Sequence, residues 1–356
     1  MSELAERLAA RTLELCRIPS PIGEEAALCD RLARFAEERL PGWPLRRVGH
    51  SLVVGEPARD RPTVALVGHL DTVPLFPEDG PPRREGGRIV GKGASDMKGG
   101  LAVALELCER VPAGARIRPL LVLYEREEGP YSENGLEGLF AAGAIPKVDL
   151  ALCLEPTDGA VQAGCVGSLH ATVRFRGRAA HSARPWEGRN AVHAAGPLLA
   201  ALERTPAREV VADGLSFREV FSVTRLSGGK ARNVVPDLCE LNLNYRFAPG
   251  KSLAEAEAEL RSLCGEHGAS EVEPTDLSPS GPVCLGNPLV RRLLAQGIRA
   301  EPKQAWTDVA RLAQWGIDAV NFGPGQPSQA HQAGEWAEIE RLETVYRLLE
   351  RLLVEG

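Results

Sequence analysis

Two hydrophobic periods divide this chain. From about Leu4 to Cys16 and from Glu24 to Arg39, apolar residues recur at helical spacing, as in helices that bury one face. Thr63 to Gly68 (TVALVG) is a short, continuous, β-branched and apolar run. It suits a strand covered on both sides, and Ile117 to Tyr124 and Asp149 to Leu154 have the same character. Gly99 to Arg110, between them, has the pattern of a helix. Strands alternating with helices predict an α/β fold with a mixed, mostly parallel sheet flanked by helices.

The middle of the chain changes period. Ser168 to Arg176 (SLHATVRFR) and Asp237 to Phe247 (DLCELNLNYRF) alternate apolar and polar, as half-exposed strands do. A helix over Gly188 to Leu202, a strand over Arg218 to Leu226, a helix over Leu253 to His267 and a last strand near Ala269 to Glu273 complete the order βαββαβ. That order predicts a ferredoxin-like α+β unit. Buried-strand character resumes at Asp318 to Phe322 (DAVNF), so the unit reads as an insertion. The expected division is 1–166 and 282–356 for one domain and 167–281 for the inserted one.

A length of 356 residues exceeds one ordinary core and agrees with two domains. The net charge of −6 and the mixing of basic with acidic residues exclude a basic nucleic-acid footprint. No apolar run reaches membrane-spanning length, and the opening MSELAERLAARTLELC lacks the apolar centre of a signal peptide. The eight cysteines form no Cys-x-x-Cys pair and mostly have apolar neighbours, which points to reduced, buried thiols in a cytoplasmic protein. GKGASDMKGG does not have the spacing of a phosphate loop, and no Gly-x-Ser-x-Gly elbow occurs, so a serine nucleophile is not expected.

Candidate chemistry lies in five separated fragments: GHLDTVP with His69 and Asp71, GASDMKGG with Asp96, YEREEGP with Glu127 and Glu128, LEPT with Glu155, and AHQAGE with His331. Three of them directly follow predicted strands, where ligands of open α/β sheets gather. Each has an ordinary reading by itself. Asp96 could cap a helix, Glu127 and Glu128 could belong to a solvated charge cluster, and His331 could be a surface histidine. Glu155 is harder to dismiss, because a carboxylate after apolar Leu150 to Leu154 is costly unless paired or metal-bound. In His69-Leu70-Asp71 the two polar side chains share one side of an extended backbone, and Asp71 could accept the second ring N–H of His69. Together the fragments suit two bridged divalent ions with a spare carboxylate as base, the outfit of metal-assisted hydrolysis.

These motifs, in this order along nearly the whole chain, resemble the dizinc amidohydrolases that include aminoacylases, glutamate-releasing carboxypeptidases, acetylornithine deacetylases and succinyl-diaminopimelate desuccinylases. The longer strings RAAHSARPWEGRNAVH, GGKARNVVPD, NYRFAP, WTDVARL and VNFGPG resemble the actinobacterial desuccinylase branch most. The resemblance implies a zinc-exopeptidase-like catalytic domain, a lid domain that makes a homodimer, and two divalent ions per subunit, zinc or else cobalt. It implies that His69 and Glu155 hold one ion and Glu128 and His331 the other, with Asp96 between. Asp71 would orient His69, and Glu127 would be the general base. His181 would reach a partner's active site and stabilise an oxyanion. Asn233, Arg246 (through a carboxylate), Thr307 and the Gly323-Pro324-Gly325 loop would contact the substrate, a small N-acyl amino acid. The implied reaction is release of succinate from N-succinyl-diaminopimelate in lysine and diaminopimelate biosynthesis. The alternatives are another deacylase, such as one acting on acetylornithine, or a non-catalytic binding protein on the same fold. The chain departs from the pattern at Gly334, where many relatives have Asn or Asp.

Overall fold

The computed structural model describes residues 2–356. The chain opens with helices α1 (Glu3–Cys16) and α2 (Ala26–Arg39), a hairpin of β1 (Leu45–Val48) and β2 (Ser51–Val54), and strand β3 (Thr63–His69). A small ribbon, β4 (Arg83–Glu85) and β5 (Arg88–Val90), precedes α3 (Gly99–Arg110), β6 (Arg118–Tyr124), α4 (Gly135–Ala141), β7 (Leu150–Cys153) and β8 (Val161–Cys165). Next come β9 (Gly167–Arg176), α5 (Ala191–Arg204), β10 (Arg208–Ala212), β11 (Leu215–Gly228), β12 (Leu238–Phe247), α6 (Leu253–Glu266) and β13 (Glu271–Ser278). The return runs through α7 (Pro288–Leu294), β14 (Ala300–Lys303), α8 (Val309–Gln314), β15 (Ala319–Asn321), β16 (Trp336–Glu338) and α9 (Ile339–Glu355).

These elements form two compact units. The first comprises Met1–Ala163, Cys284–Glu301 and Arg311–Gly356; the second comprises Gly164–Val283 and Pro302–Ala310. The large sheet has the order β1-β2-β6-β3-β7-β15-β8-β14. Its centre, β6-β3-β7-β15, is parallel. Every residue of β3 and β7 is buried, which explains their unbroken apolar character. Helix α9 carries the matching stripe, with Ile339, Leu342, Val345, Tyr346, Leu349, Leu352 and Leu353 buried. Each large apolar side chain of this kind contributes about 1.5–3 kcal/mol relative to exposure. Among the described residues, no helix is long and apolar enough to cross a membrane, and all eight cysteines are free and buried.

The second unit is one antiparallel sheet of order β10-β11-β12-β9-β13, and buried residues of α5 and α6 join those of β9 and β12 in its core. Without β10 this is the ferredoxin-like order expected from the sequence. The extra strand is a difference. Asp213-Gly214, both at positive φ, close a two-residue hairpin that pairs Arg208–Ala212 with the start of β11. The last strand also begins later and runs longer than expected, to Ser278, because it pairs along β9 as far as Ser168. Helix α6 starts on a capping box between Ser252 and Glu255.

Candidate dinuclear metal centre

The parallel strands deliver the site at their carboxyl ends. His69 ends β3, Glu127 and Glu128 follow β6, Glu155 follows β7, and the loop after β15 carries His331. Ligand atoms of His69, Asp96 and Glu155 all lie within 4.8 Å of one another, as do those of Asp96, Glu128 and His331. Asp96 belongs to both sets. Its Oδ1 is 3.1 Å from His69 Nε2 and its Oδ2 is 3.9 Å from His331 Nε2. His331 Nε2 is 2.9 Å from the Glu128 carboxylate. A carboxylate that turns a different oxygen to each set is what a bridging ligand requires. Two imidazoles with three carboxylates suit borderline divalent ions such as zinc, so the donor set fits two ions. A third set within 4.8 Å joins Glu127 to His69 and Glu128, which places the Glu127 carboxylate beside the other ligand groups.

The same contacts set the protonation states. Burial opposes a charge on His69, but the Asp71 and Asp96 carboxylates outweigh it and raise its pKa well above the ordinary value. The hydrogen bond to Glu128 raises that of His331. Both shifts favour the protonated imidazole, so metal binding competes with protons at each histidine.

Local backbone structure accounts for the placement. Asp71 is buried, and its carboxylate accepts the Glu127 N–H at 3.0 Å and the Glu128 N–H at 2.8 Å. His69 Nδ1 meets the Asp71 carbonyl at 3.0 Å and the carboxylate at 3.6 Å. Asp71 thus ties the first histidine to the paired glutamates. Asp96 does not cap α3, whose N-cap is Lys98 and carries no side-chain cap bond. Instead the buried Glu335 carboxylate collects the N–H groups of Gly93, Ser95 and Asp96, each at 2.8 Å. Burial pushes the Glu335 carboxyl up to about 7.

The His331 loop is clamped as well. Asp79 accepts the Gly334 N–H at 2.8 Å and pairs with Lys92 at 3.1 Å, and Lys92 Nζ donates to the Gln332 carbonyl at 2.8 Å. Gly334 has φ +65° with open space at its missing Cβ, so glycine meets a backbone requirement there. His331 itself sits at φ 58° and Arg126 at φ 60°, left-handed conformations that non-glycine residues hold only under constraint. Gly323 lies against the main chain of Glu155. A Cβ at that position would stand 2.4 Å from the Glu155 carbonyl oxygen, so the loop supports this ligand by close backbone approach. Arg311, fully buried, pairs with Glu137 at 2.5 Å and donates to the Tyr131 carbonyl at 2.7 Å, bracing the segment after Glu128. Sequence reasoning gave no such roles to Asp79, Lys92, Glu335 or Arg311.

Within the second unit, His181 and Asn233 come together on exposed turns. His181 bridges Val234, and the Asn233 carbonyl accepts the Ser182 N–H at 2.9 Å. Arg246 is elsewhere. β12 runs from Leu238, opposite Arg176, to Arg246, opposite Ser168. Those eight steps cover about 26 Å at ~3.3 Å per residue, and His181 lies beyond the Arg176 end. Thr307 also belongs to this unit. It is buried, and its carbonyl receives the Cys165 thiol at 3.6 Å.

The M20-type peptidase dimerisation domain matches residues 164–272. A succinyl-diaminopimelate desuccinylase from Corynebacterium glutamicum is 36% identical over 357 residues, covering 97% of this chain and 95% of its own. The chain belongs to the succinyl-diaminopimelate desuccinylase family of M20 metal-dependent hydrolases. An acetylornithine deacetylase from Myxococcus xanthus is also similar, 31% identical over 335 residues, covering 87% of this chain and 85% of its own. A dinuclear metal binding peptidase of the M20 family from Bacillus subtilis shares the fold, with a TM-score of 0.72 at 16% identity over 99% of this chain and 98% of that one. The α/β architecture and the hydrolase class expected from the sequence are those of this M20 family.

Proposed function

We propose that this chain hydrolyses the amide bond of N-succinyl-LL-diaminopimelate to succinate and LL-diaminopimelate. The observation that carries the hydrolytic reading is the pair of ligand sets joined through Asp96, with Glu127 in a third set beside His69 and Glu128. His69 and Glu155 would hold one ion and Glu128 and His331 the other, with Asp96 shared by the two sets. Two such ions, zinc or cobalt, would polarise the amide carbonyl and acidify water. Glu127 takes the proton of the attacking water and passes it to the leaving amine. Asp71 keeps Glu127 and Glu128 in register through their N–H groups.

The substrate assignment rests on the similarity to the Corynebacterium glutamicum desuccinylase over nearly the whole chain and on Arg246, whose fork suits a carboxylate. The same resemblance implies substrate contacts from Thr307 and, separately, from Gly323. A substrate panel with zinc-loaded protein tests it. The kcat/KM for N-succinyl-LL-diaminopimelate should exceed those for N-acetylornithine and simple N-acyl amino acids by at least about 10²-fold, a floor well below the roughly 10⁴–10⁵-fold by which a site built to hydrogen-bond a substrate group rejects an analogue lacking it. A preference for N-acetylornithine would move the chain to the deacetylase branch.

His181 acts in trans, from the lid of a homodimer partner, donating to the oxyanion, and Asn233 accompanies it. The separation of about 26 Å along β12 supports this, because one small substrate cannot touch both Arg246 and His181 of the same chain. After subunit exchange, a mixture of inactive His181→Ala and inactive Glu127→Gln proteins should regain activity, up to about half of wild type per heterodimer if the sites are independent. Proven exchange without recovery would return His181 to its own subunit or remove it from the reaction.

A further inference from the structure

Arg246 lies on the face of the second unit's sheet opposite its helices, beside a row of polar side chains to which the proposed reaction assigns no role. Its Nε–H donates to the Asn244 Oδ1 at 3.0 Å. Asn244 is buried, which is unusual for an asparagine on the open face of a sheet. Its amide nitrogen reaches the Leu169 carbonyl at 3.2 Å, the Ser168 hydroxyl at 3.3 Å and His170 Nε2 at 3.0 Å. His170 stands opposite Asn244 in the β9–β12 register. Its other ring nitrogen meets the Asn242 amide at 3.2 Å, and that amide reaches the Thr224 hydroxyl at 2.5 Å.

This row has a fixed polarity. An arginine has only donors, so Asn244 must turn its oxygen to Arg246 and its NH2 to Leu169 and His170. His170 Nε2 must then accept, so Nδ1 carries the ring proton, and the Asn242 amide must present its oxygen, not its NH2, to that N–H and to the Thr224 hydroxyl. Every group in the row is committed, and the Arg246 guanidinium is held by one edge. A guanidinium offers a carboxylate two bidentate edges, one through Nε and one through its terminal nitrogens alone. With Nε–H committed to Asn244, only the terminal edge stays available.

We infer that Asn244, seated by His170, is the positioning residue for Arg246: it commits Nε–H and presents the Nη1/Nη2 edge to the substrate carboxylate. The inference rests on the proposed role of Arg246 and adds how specificity for that carboxylate is set. A guanidinium free to rotate would lose part of its preorganisation.

The test is a double-mutant cycle on the metal-loaded full chain with N-succinyl-LL-diaminopimelate. Asn244→Ala should raise KM about tenfold, more than it lowers kcat. In an Arg246→Ala background the same change should add less than about twofold, because the two residues act as one unit. His170→Leu, which leaves both residues in place, should raise KM about threefold and lose that effect in the same background. It carries the cycle if Asn244→Ala does not fold. If Arg246→Ala raises KM but both Asn244→Ala and His170→Leu leave it unchanged, or if their effects add fully to Arg246→Ala, the positioning role is overturned and the role of Arg246 stands. If Arg246→Ala itself leaves KM unchanged, the carboxylate assignment fails, and the inference with it.

Discussion

Glu127→Gln should lower kcat by about 10²–10⁴-fold, the range removed with a general base, while metal content stays near wild type. The amide keeps the size of the side chain and the Glu127 N–H bond to Asp71, so the local backbone is preserved. What it loses is the ability to accept a proton. The neighbouring residue separates the two roles of the pair. Glu128 lies 2.9 Å from His331 and shares a ligand set with Asp96, so Glu128→Gln should lose metal. Kinetics paired with metal analysis of the two variants checks this. A Glu127→Gln protein that keeps most of its turnover, beside a Glu128→Gln protein that keeps its metal, would mean that the roles of the pair are misassigned.

Asp96→Ala should weaken metal binding by at least about 100-fold and abolish turnover. Loss of a partner that merely orients a ligand costs about 10–100-fold in metal affinity, and Asp96 faces both histidines with its own oxygens. Folding should survive, because Glu335 grips this segment through three backbone N–H groups that the substitution leaves in place. Competition against a chelator of known affinity, with melting followed in parallel, measures the effect. Wild-type affinity in a folded Asp96→Ala protein would remove Asp96 from the centre.

How much of this was legible in the sequence depends on distance along the chain. His69, Glu128 and Glu155 follow unbroken apolar runs, and a fully buried parallel strand leaves a polar residue at its carboxyl end little to do except bind. Helix α3 and the ferredoxin-like order came from periodicity alone. The clamps were not legible. Glu335 meets Gly93 and Ser95 across about 240 residues, and nothing near Glu335 hints that a Gly-rich turn waits there. Asp79 and Lys92 stand in Gly- and Pro-rich loops, where charges usually mean solvent. Asn244 fits a simple alternation of apolar and polar residues and marks itself only through its neighbours on β9. The β10 hairpin was within reach, since Asp213-Gly214 between apolar runs is a strong turn signal, but VVADGLSF is short and lies inside a longer polar stretch.

The most direct test is anomalous diffraction at the zinc edge from crystals of the zinc-loaded protein. Two peaks about 3.5–4 Å apart are expected, one beside His69 and Glu155, the other beside Glu128 and His331, with Asp96 between them. A single peak at full zinc loading, or two peaks that do not share Asp96, would contradict a bridged dinuclear centre.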